Sequence, residues 1–180
     1  MEEEYCVACR EGGHYFTEGR SIFPYGEIWR QSLIRFKYYG CREYGDFYAK
    51  AMSVYGRRYL ERWKPQLIVP VPLHPAKKRM RGFNQAAYLA ERLSCYTGIP
   101  WTDSLVLKIR NTRSQKKLDA LQRRNNLRKA YEVTHKLDDI SILVVDDVYT
   151  TGSTMDAMAI CLTEAGAQAV YFLTVCAGRQ

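Results

Sequence analysis

Two adjacent carboxylates, Asp146 and Asp147, lie between an apolar run and a turn rich in hydroxyl groups. Residues 142–145 have the composition of a buried parallel strand, and residues 150–154 (TTGST) are followed by apolar residues at helical spacing. Because a helix N-terminus favours an anion, the turn is predicted to bind a phosphate group. Carboxylates do not favour a phosphate beside them, so the pair is predicted to face sugar hydroxyls, a divalent cation, or both.

A simpler interpretation of this stretch is a buried strand followed by an ordinary helix whose N-cap is Ser153 or Thr154. That interpretation accounts for the apolar run and for the hydroxyl residue at the helix start. It does not account for two carboxylates directly before the turn, so we favour the ligand-binding interpretation.

Two stretches of the chain concentrate its positive charge. Residues 72–82 contain four basic residues and no acid, and residues 108–129 contain nine basic residues and one acid. The formal net charge of the chain is +8, so the remainder carries a net charge of −4. The positive field is therefore local, and an anionic partner is expected at both stretches.

The first basic stretch follows residues 67–71 (LIVPV), which are predicted to form a second buried strand restricted by Pro70 and Pro72. Ligands of parallel α/β sheets lie outside the carboxyl ends of the strands. A cationic loop at this position is therefore suited to a diphosphate. The alternative is a solvated run of charge.

Cys6 and Cys9 form a C-x2-C pair, the spacing with which one tight turn supplies two thiolates to a zinc ion. A tetrahedral site requires two further ligands, and His14 is the nearby candidate. The alternatives are an incomplete zinc site, whose other ligands precede Met1 in a longer natural chain or have been lost, and a free or reducible dithiol.

The stretch from residue 142 to 154 resembles the phosphoribosyl pyrophosphate (PRPP) signature of type I phosphoribosyltransferases. The resemblance implies that the acidic pair holds the ribose hydroxyls with Mg²⁺, and that the turn holds the 5′-phosphate. It also implies that basic loops hold the diphosphate and that a flap closes over the substrate. The expected catalytic residues are Asp146 and Asp147. The expected PRPP-binding residues are Asp146, Asp147, Val148, Tyr149, Thr150, Thr151, Gly152, Ser153, Thr154, Lys78, Arg79, Arg81 and Arg113.

Two further strings resemble the ComF family of competence-associated proteins, a subgroup of that fold. They are R-G-F-N-Q at 81–85, preceded by V-P-V-P-L, and the pattern R-x4-Q-x2-L continued by R-x2-N and Ala130-Tyr131. This resemblance implies natural transformation, single-stranded DNA and a helicase of the ComFA type, with other DNA-uptake or recombination proteins as partners. The candidate nucleic-acid-binding residues are Lys108, Arg110, Arg113, Lys116, Lys117, Arg123 and Arg124. The alternative is an active transferase, without a DNA role, on an unidentified nucleobase or amine acceptor.

The 180 residues are expected to form an α/β domain of the type I phosphoribosyltransferase fold, with a mostly parallel sheet flanked by helices. Strands are predicted near 67, 105, 142 and 170 in that sheet, with a short strand at 21–25 and two helices, 29–36 and 47–58, joined around Gly40 and Gly45. Residues 1–20 are expected to be a zinc-ribbon remnant or linker, and 21–180 the main domain. The acidic N-terminus, the lack of a long apolar run and the cysteine spacing favour a cytoplasmic protein without membrane insertion.

Overall fold

The computed structural model describes residues 13–109 and 130–178. It contains a parallel sheet with helices on both faces and a separate two-stranded ribbon. In chain order the elements are β1 (Glu18–Pro24), α1 (Glu27–Tyr38), α2 (Arg42–Tyr55), α3 (Arg57–Trp63), β2 (Leu67–Pro70), α4 (Pro75–Arg81), α5 (Gln85–Thr97), β3 (Val106–Lys108), β4 (Tyr131–Val133), β5 (Ser141–Tyr149), α6 (Ser153–Glu164) and β6 (Ala169–Ala177).

The main sheet has four parallel strands in the order β1-β6-β5-β2. The central strands β5 and β6 are each nine residues long and consist mostly of buried apolar residues. Such strands are typical of parallel sheets that are covered on both faces. The predicted α/β architecture with a parallel sheet is confirmed, including the strands near 67, 142 and 170.

The prediction for the strand near 105 was wrong in its placement. β3 pairs antiparallel with β4 in the separate ribbon, with Val106 opposite Val133. The physical reason lies in the burial of β3, because Val106 is buried whereas Leu107 is 48% exposed. A strand with one solvent-exposed face does not suit the interior of a parallel sheet that is covered on both faces. The fourth strand of the main sheet is instead β1, which contains most of the short strand predicted at 21–25.

The helical prediction needs two corrections. Gly40 lies between α1 and α2 with φ of +68°, as expected for a glycine at a break, but Gly45 lies inside α2. Phe36 and Tyr88 pack so closely against Gly45 that a methyl group there would lie 2.6 Å from Phe36. The second predicted helix is also divided, because α2 ends at Tyr55 and α3 begins at Arg57.

The two faces of the sheet have separate apolar cores. Leu143 and Val145 of β5 pack with α1, α2, α3 and α5 on one face, whereas Ile142 and Val144 pack with α6 and the ribbon on the other. Alternate residues of a strand point to opposite faces. The same alternation directs the side chains of Asp146 and Asp147, which follow in β5, to opposite faces of the sheet.

The basic stretch after β2 is a short helix rather than the loop predicted from sequence. Pro75 occupies the first turn of α4, and the His74 side chain accepts a hydrogen bond from the Ala76 amide. Proline suits this position because its missing N–H would have no partner within the helix. Gly82 ends the helix in the left-handed conformation with φ of +80°.

β1 begins at Glu18, so the expected boundary between residues 20 and 21 falls inside a strand of the main sheet. Thr17 already donates its amide to the Val170 carbonyl. The division into two units stays a prediction. Within the described parts of the chain, no helix is long and apolar enough to cross a membrane.

Candidate functional site

Three elements meet at the carboxyl edge of the main sheet: the end of β5, the start of α6, and the segment that follows β2. The Asn84 side chain donates a hydrogen bond of 3.1 Å to the Val71 carbonyl, which ties the end of α4 to the end of β2. Asn84 also caps α5 by accepting from the Ala86 amide at 3.1 Å. The predicted phosphate turn, acidic pair and cationic segment are therefore held at one edge.

Asp147 points to the face covered by α1 and α2. It is buried, and its carboxylate forms an ion pair with the ammonium group of Lys37, from the last turn of α1. The Lys37 side chain is 21% exposed, so the pair is largely removed from solvent. A buried charge requires such a partner, and Lys37 is the residue that supplies it.

Asp146 lies on the other side of β5 and is half-buried. Its carboxylate accepts a 2.8 Å hydrogen bond from the Asp147 amide. Burial, followed by the negative charge of Asp147, raises the pKa of Asp146 to about 8, against the opposing effects of the Asp147 amide and Lys37. These effects favour the protonated form of Asp146.

Lys108 and Tyr131 from the ribbon lie on the same side as Asp146. The Lys108 ammonium is 3.3 Å from the Tyr131 hydroxyl and 5.2 Å from the centre of its ring. Burial and the charge of Lys77 lower the pKa of Lys108, and Asp146 opposes this effect. Burial and the charge of Asp146 raise the pKa of Tyr131. Lys108, predicted to bind nucleic acid, thus lies among the charged groups of this edge.

The hydroxyl-rich turn lies at the exposed start of α6. Gly152 is the N-cap with φ of +78°, and no side chain caps the helix, so the interpretation with Ser153 or Thr154 as cap was wrong. Thr150, Thr151, Ser153 and Thr154 are exposed, and the hydroxyls of Thr151 and Ser153 are 3.0 Å apart. The first amides of a helix have no partner within it, so the turn offers N–H and O–H donors to a ligand.

The cationic side chains of α4 flank this edge. Lys77, Lys78 and Arg79 are exposed. Arg81 donates to Gln85 at 2.8 Å and to the Tyr38 hydroxyl at 2.8 Å, and its guanidinium lies 4.8 Å from the centre of the Tyr38 ring. Arg81 is therefore held in place by α1, whereas the other three cations face solvent.

His14, the sequence candidate for a third zinc ligand, lies beside the turn instead. Its Nδ1 atom is 3.0 Å from the carboxylate of Asp156, and its Nε2 atom is 3.4 Å from the Tyr149 hydroxyl. In the described parts of the chain, no group of three or more histidine, cysteine or carboxylate side chains could hold a metal ion.

Of the remaining predicted residues, two lie at the end of β5 and the others lie outside the described parts of the chain. Val148 and Tyr149 are at the end of β5, where Tyr149 is buried and stacks on Phe172 with ring centres 4.9 Å apart. The zinc pair and the second basic stretch from residue 110 onward are not described. The predicted residues concerned are Cys6, Cys9, Arg110, Arg113, Lys116, Lys117, Arg123 and Arg124. The zinc site and the roles of these basic residues stay predictions.

Sequence reasoning missed three residues that the fold brings to this edge. Lys37 is distant from the signature in the chain, Asp156 lies within a helix, and neither belongs to a recognisable motif. Tyr131 belongs to the ComF pattern, but the pattern assigned it no role in the site. The amphipathic pattern of α1 could place Lys37 near its C-terminus but could not identify Asp147 as its partner. Only the packing of α1 on the sheet determines that pair.

Comparison with known proteins identifies a family. The family model described as a phosphoribosyl transferase domain matches residues 48–180. "Competence protein F" of Haemophilus influenzae is 34% identical over 109 residues, which cover 59% of this chain and 48% of that protein. "Competence protein ComFC" of Bacillus subtilis is 30% identical over 158 residues, covering 83% and 59%. "DNA utilization protein YhgH" of Escherichia coli K12 is 37% identical over 112 residues, covering 62% and 49%.

These relatives confirm the resemblance to the ComF group, and the chain spans about half the length of most curated relatives that it matches. Among solved structures, the purine phosphoribosyltransferase of Pyrococcus horikoshii superimposes with a TM-score of 0.46 and 19% identity, covering 74% of this chain and 73% of that one. Family membership rests on the family model and the sequence relatives, not on this structural likeness.

Proposed function

Because the chain belongs to the phosphoribosyl transferase domain family, we propose that it is a ComF-type protein that binds PRPP with Mg²⁺ and handles single-stranded DNA during natural transformation. One observation carries the ligand proposal. The half-buried carboxyl of Asp146, the donor-rich start of α6 and the cations of α4 lie around one edge of the sheet.

Each part of PRPP has a matching group at this edge. The turn at 150–154 holds the 5′-phosphate through helix amides and hydroxyls. Asp146 accepts hydrogen bonds from the ribose hydroxyls. Asp147, on the opposite face of β5, is paired with Lys37. Lys78, Arg79 and Arg81 hold the diphosphate, together with Arg113 of the second basic stretch. Lys108, close to Asp146 and Lys77, adds a cation between the ribose and the diphosphate.

Mg²⁺ fits the donors that are present. This ion is usually bound by one or two carboxylates together with substrate phosphates and water, rather than by a cage of protein ligands. Asp146 provides such a carboxylate at the edge where the diphosphate is proposed to bind. When bound, Mg²⁺ would neutralise charge on the diphosphate.

The residues of this chain would favour displacement of the diphosphate through positioning and electrostatics. The bond from C1 to the diphosphate oxygen breaks as the acceptor bond forms, so positive charge develops on the ribose and negative charge on the leaving group. Asp146 lies on the ribose side of the proposed ligand, and the α4 cations lie on the diphosphate side. Each set therefore carries the opposite sign to the charge that develops nearest to it, and stabilises that charge.

Titration calorimetry tests the ligand proposal. The chain is expected to bind PRPP in a 1:1 complex when Mg²⁺ is present and about tenfold or more weakly when EDTA replaces it, because the diphosphate charge is then less neutralised. Arg79→Ala should weaken binding, whereas Lys50→Ala, at an exposed position in α2, should not. Absence of binding with Mg²⁺ present would refute the proposal.

The DNA part of the proposal rests on the second basic stretch and on the relatives named for competence and DNA utilization. With a labelled oligo-dT, Asp146→Asn combined with Asp147→Asn should bind as the wild type does. Replacing Arg113, Lys116 and Lys117 by glutamine should weaken binding and lower its salt slope by about two. Unchanged affinity of that triple variant would contradict the assignment.

The alternative is an active transferase with no DNA role. It predicts release of pyrophosphate from PRPP when a suitable nucleobase or amine is added, without measurable affinity for oligo-dT. Both functions include PRPP binding, so pyrophosphate release and DNA binding are the measurements that separate them.

A further inference from the structure

Asp156 lies in the first turn of α6, the helix whose N-terminus is the proposed 5′-phosphate site. It is only 7% exposed. Its Oδ1 atom accepts a 2.9 Å hydrogen bond from the Tyr15 amide, and its Oδ2 atom is 3.0 Å from His14 Nδ1. A carboxylate in a first turn stabilises a helix, but it also opposes a second anion at the same terminus. The chain therefore places a negative charge where the proposed function requires a phosphate.

His14 connects this carboxylate to the turn. Nδ1 faces the Asp156 carboxylate, and Nε2 on the other side of the ring lies 3.4 Å from the hydroxyl of Tyr149, the last residue of β5. The ring also stacks on Phe16 with centres 4.7 Å apart. His14 is thus held from three sides.

The same ring lies directly against the turn. A methyl group at Gly152 would lie 2.6 Å from His14 Cε1 and 2.7 Å from the Tyr149 hydroxyl. Glycine is required there both by its φ of +78° and by this contact. The position of the turn is therefore coupled to the residues that precede β1.

We propose that His14 and Asp156 are positioning residues for the 5′-phosphate turn. His14 covers the Asp156 carboxylate by donating a hydrogen bond to it, which offsets part of the negative charge beside the helix terminus. The Tyr15 amide donates to the other oxygen. This inference rests on the proposed function, because it concerns the phosphate end of the PRPP site. Neither residue contacts the ligand.

A double-mutant cycle tests the inference, with ribose 5-phosphate as the probe. His14→Ala should weaken its binding about tenfold, because the uncovered carboxylate then opposes the phosphate. Asp156→Asn should bind at least as tightly as the wild type, since the amide oxygen still accepts from Tyr15 and the charge is gone. The double variant should match Asp156→Asn, because no charge remains to be covered.

Two further measurements distinguish positioning from general stability. His14→Asn, which retains a donor near the Nδ1 position, should restore most of the affinity. Inorganic pyrophosphate, which is expected at α4, should bind His14→Ala as it binds the wild type. If His14→Ala does not fold, His14→Phe keeps the ring against Phe16 but cannot donate, and the same comparison holds for it.

Different results would overturn the proposed function and the positioning inference. If wild-type protein binds neither ribose 5-phosphate nor PRPP with Mg²⁺, the proposed function fails. If the wild type binds ribose 5-phosphate but His14→Ala binds it equally well, only the positioning inference is overturned. It is also overturned if the double variant stays as weak as His14→Ala.

Discussion

Asp146→Asn is expected to reduce the affinity for PRPP with Mg²⁺ about a hundredfold or more. The substitution removes the carboxylate that we place on the ribose hydroxyls and Mg²⁺, and hydrogen bonds to a charged group contribute about 1.5–3 kcal/mol each. Asparagine has nearly the same shape as aspartate, so the fold should not change. Calorimetry with saturating Mg²⁺ measures the loss, and the melting temperature of the variant shows whether it is folded.

The pH dependence of the same variant provides a second measurement. The pKa of Asp146 is raised to about 8, so the folded protein retains a proton that the unfolded chain releases at much lower pH. Between these two pKa values the free energy of unfolding should fall as pH rises, by up to about 1.4 kcal/mol per pH unit from this group. Asp146→Asn lacks the titrating group, so the wild type should lose stability relative to it up to about pH 8.

Ligand binding should show the opposite trend. Mg²⁺ and the ribose hydroxyls favour the ionised carboxylate, so the affinity of the wild type for PRPP should increase with pH and level off above about pH 8. The variant should show no such increase from this group. A wild-type affinity that is independent of pH from 6 to 9, or an Asn variant that binds normally, would remove Asp146 from the site.

Lys37→Met is expected to destabilise the protein by about 2 kcal/mol or more. It leaves the buried carboxylate of Asp147 without its ion-pair partner, and removing one member of a buried pair is strongly unfavourable. Adding Asp147→Asn to Lys37→Met should recover most of the lost stability, because no buried charge is then left alone. Urea unfolding of the wild type, both single variants and the double variant gives the coupling between the two residues.

Lys50→Met is the matched control for the lysine substitution. Lys50 is exposed on α2, so replacing it should change stability by no more than about 0.5 kcal/mol. If Lys37→Met proves as mild as this control, or if Asp147→Asn gives no recovery, the ion pair does not anchor α1 to the sheet.

The sequence was sufficient to predict the components of the site that lie close together in the chain. The apolar run of β5, the acidic pair and the glycine-containing turn before α6 share one short segment, and local geometry places them in order. The cationic segment after β2 was also predicted at the same edge, because parallel strands end on one side of a sheet. Its helical form was missed, although Pro75 suits a helix start.

The components that depend on tertiary packing were not predictable in this way. The two carboxylates were expected to act together, but strand alternation directs Asp147 to Lys37 and Asp146 towards Lys108 and Tyr131. The fold also places β3 in a ribbon with β4, because β3 has one exposed face, and brings His14 to Asp156 across 142 residues of chain. No local spacing indicates these pairings.

A crystal structure of the chain with PRPP and Mg²⁺ tests the central claim most directly. We expect the 5′-phosphate within hydrogen-bond distance of the turn at 150–154, the ribose hydroxyls on Asp146, and the diphosphate beside α4. Occupancy of any other surface by PRPP, or a ribose placed away from Asp146 with the turn empty, would contradict the account.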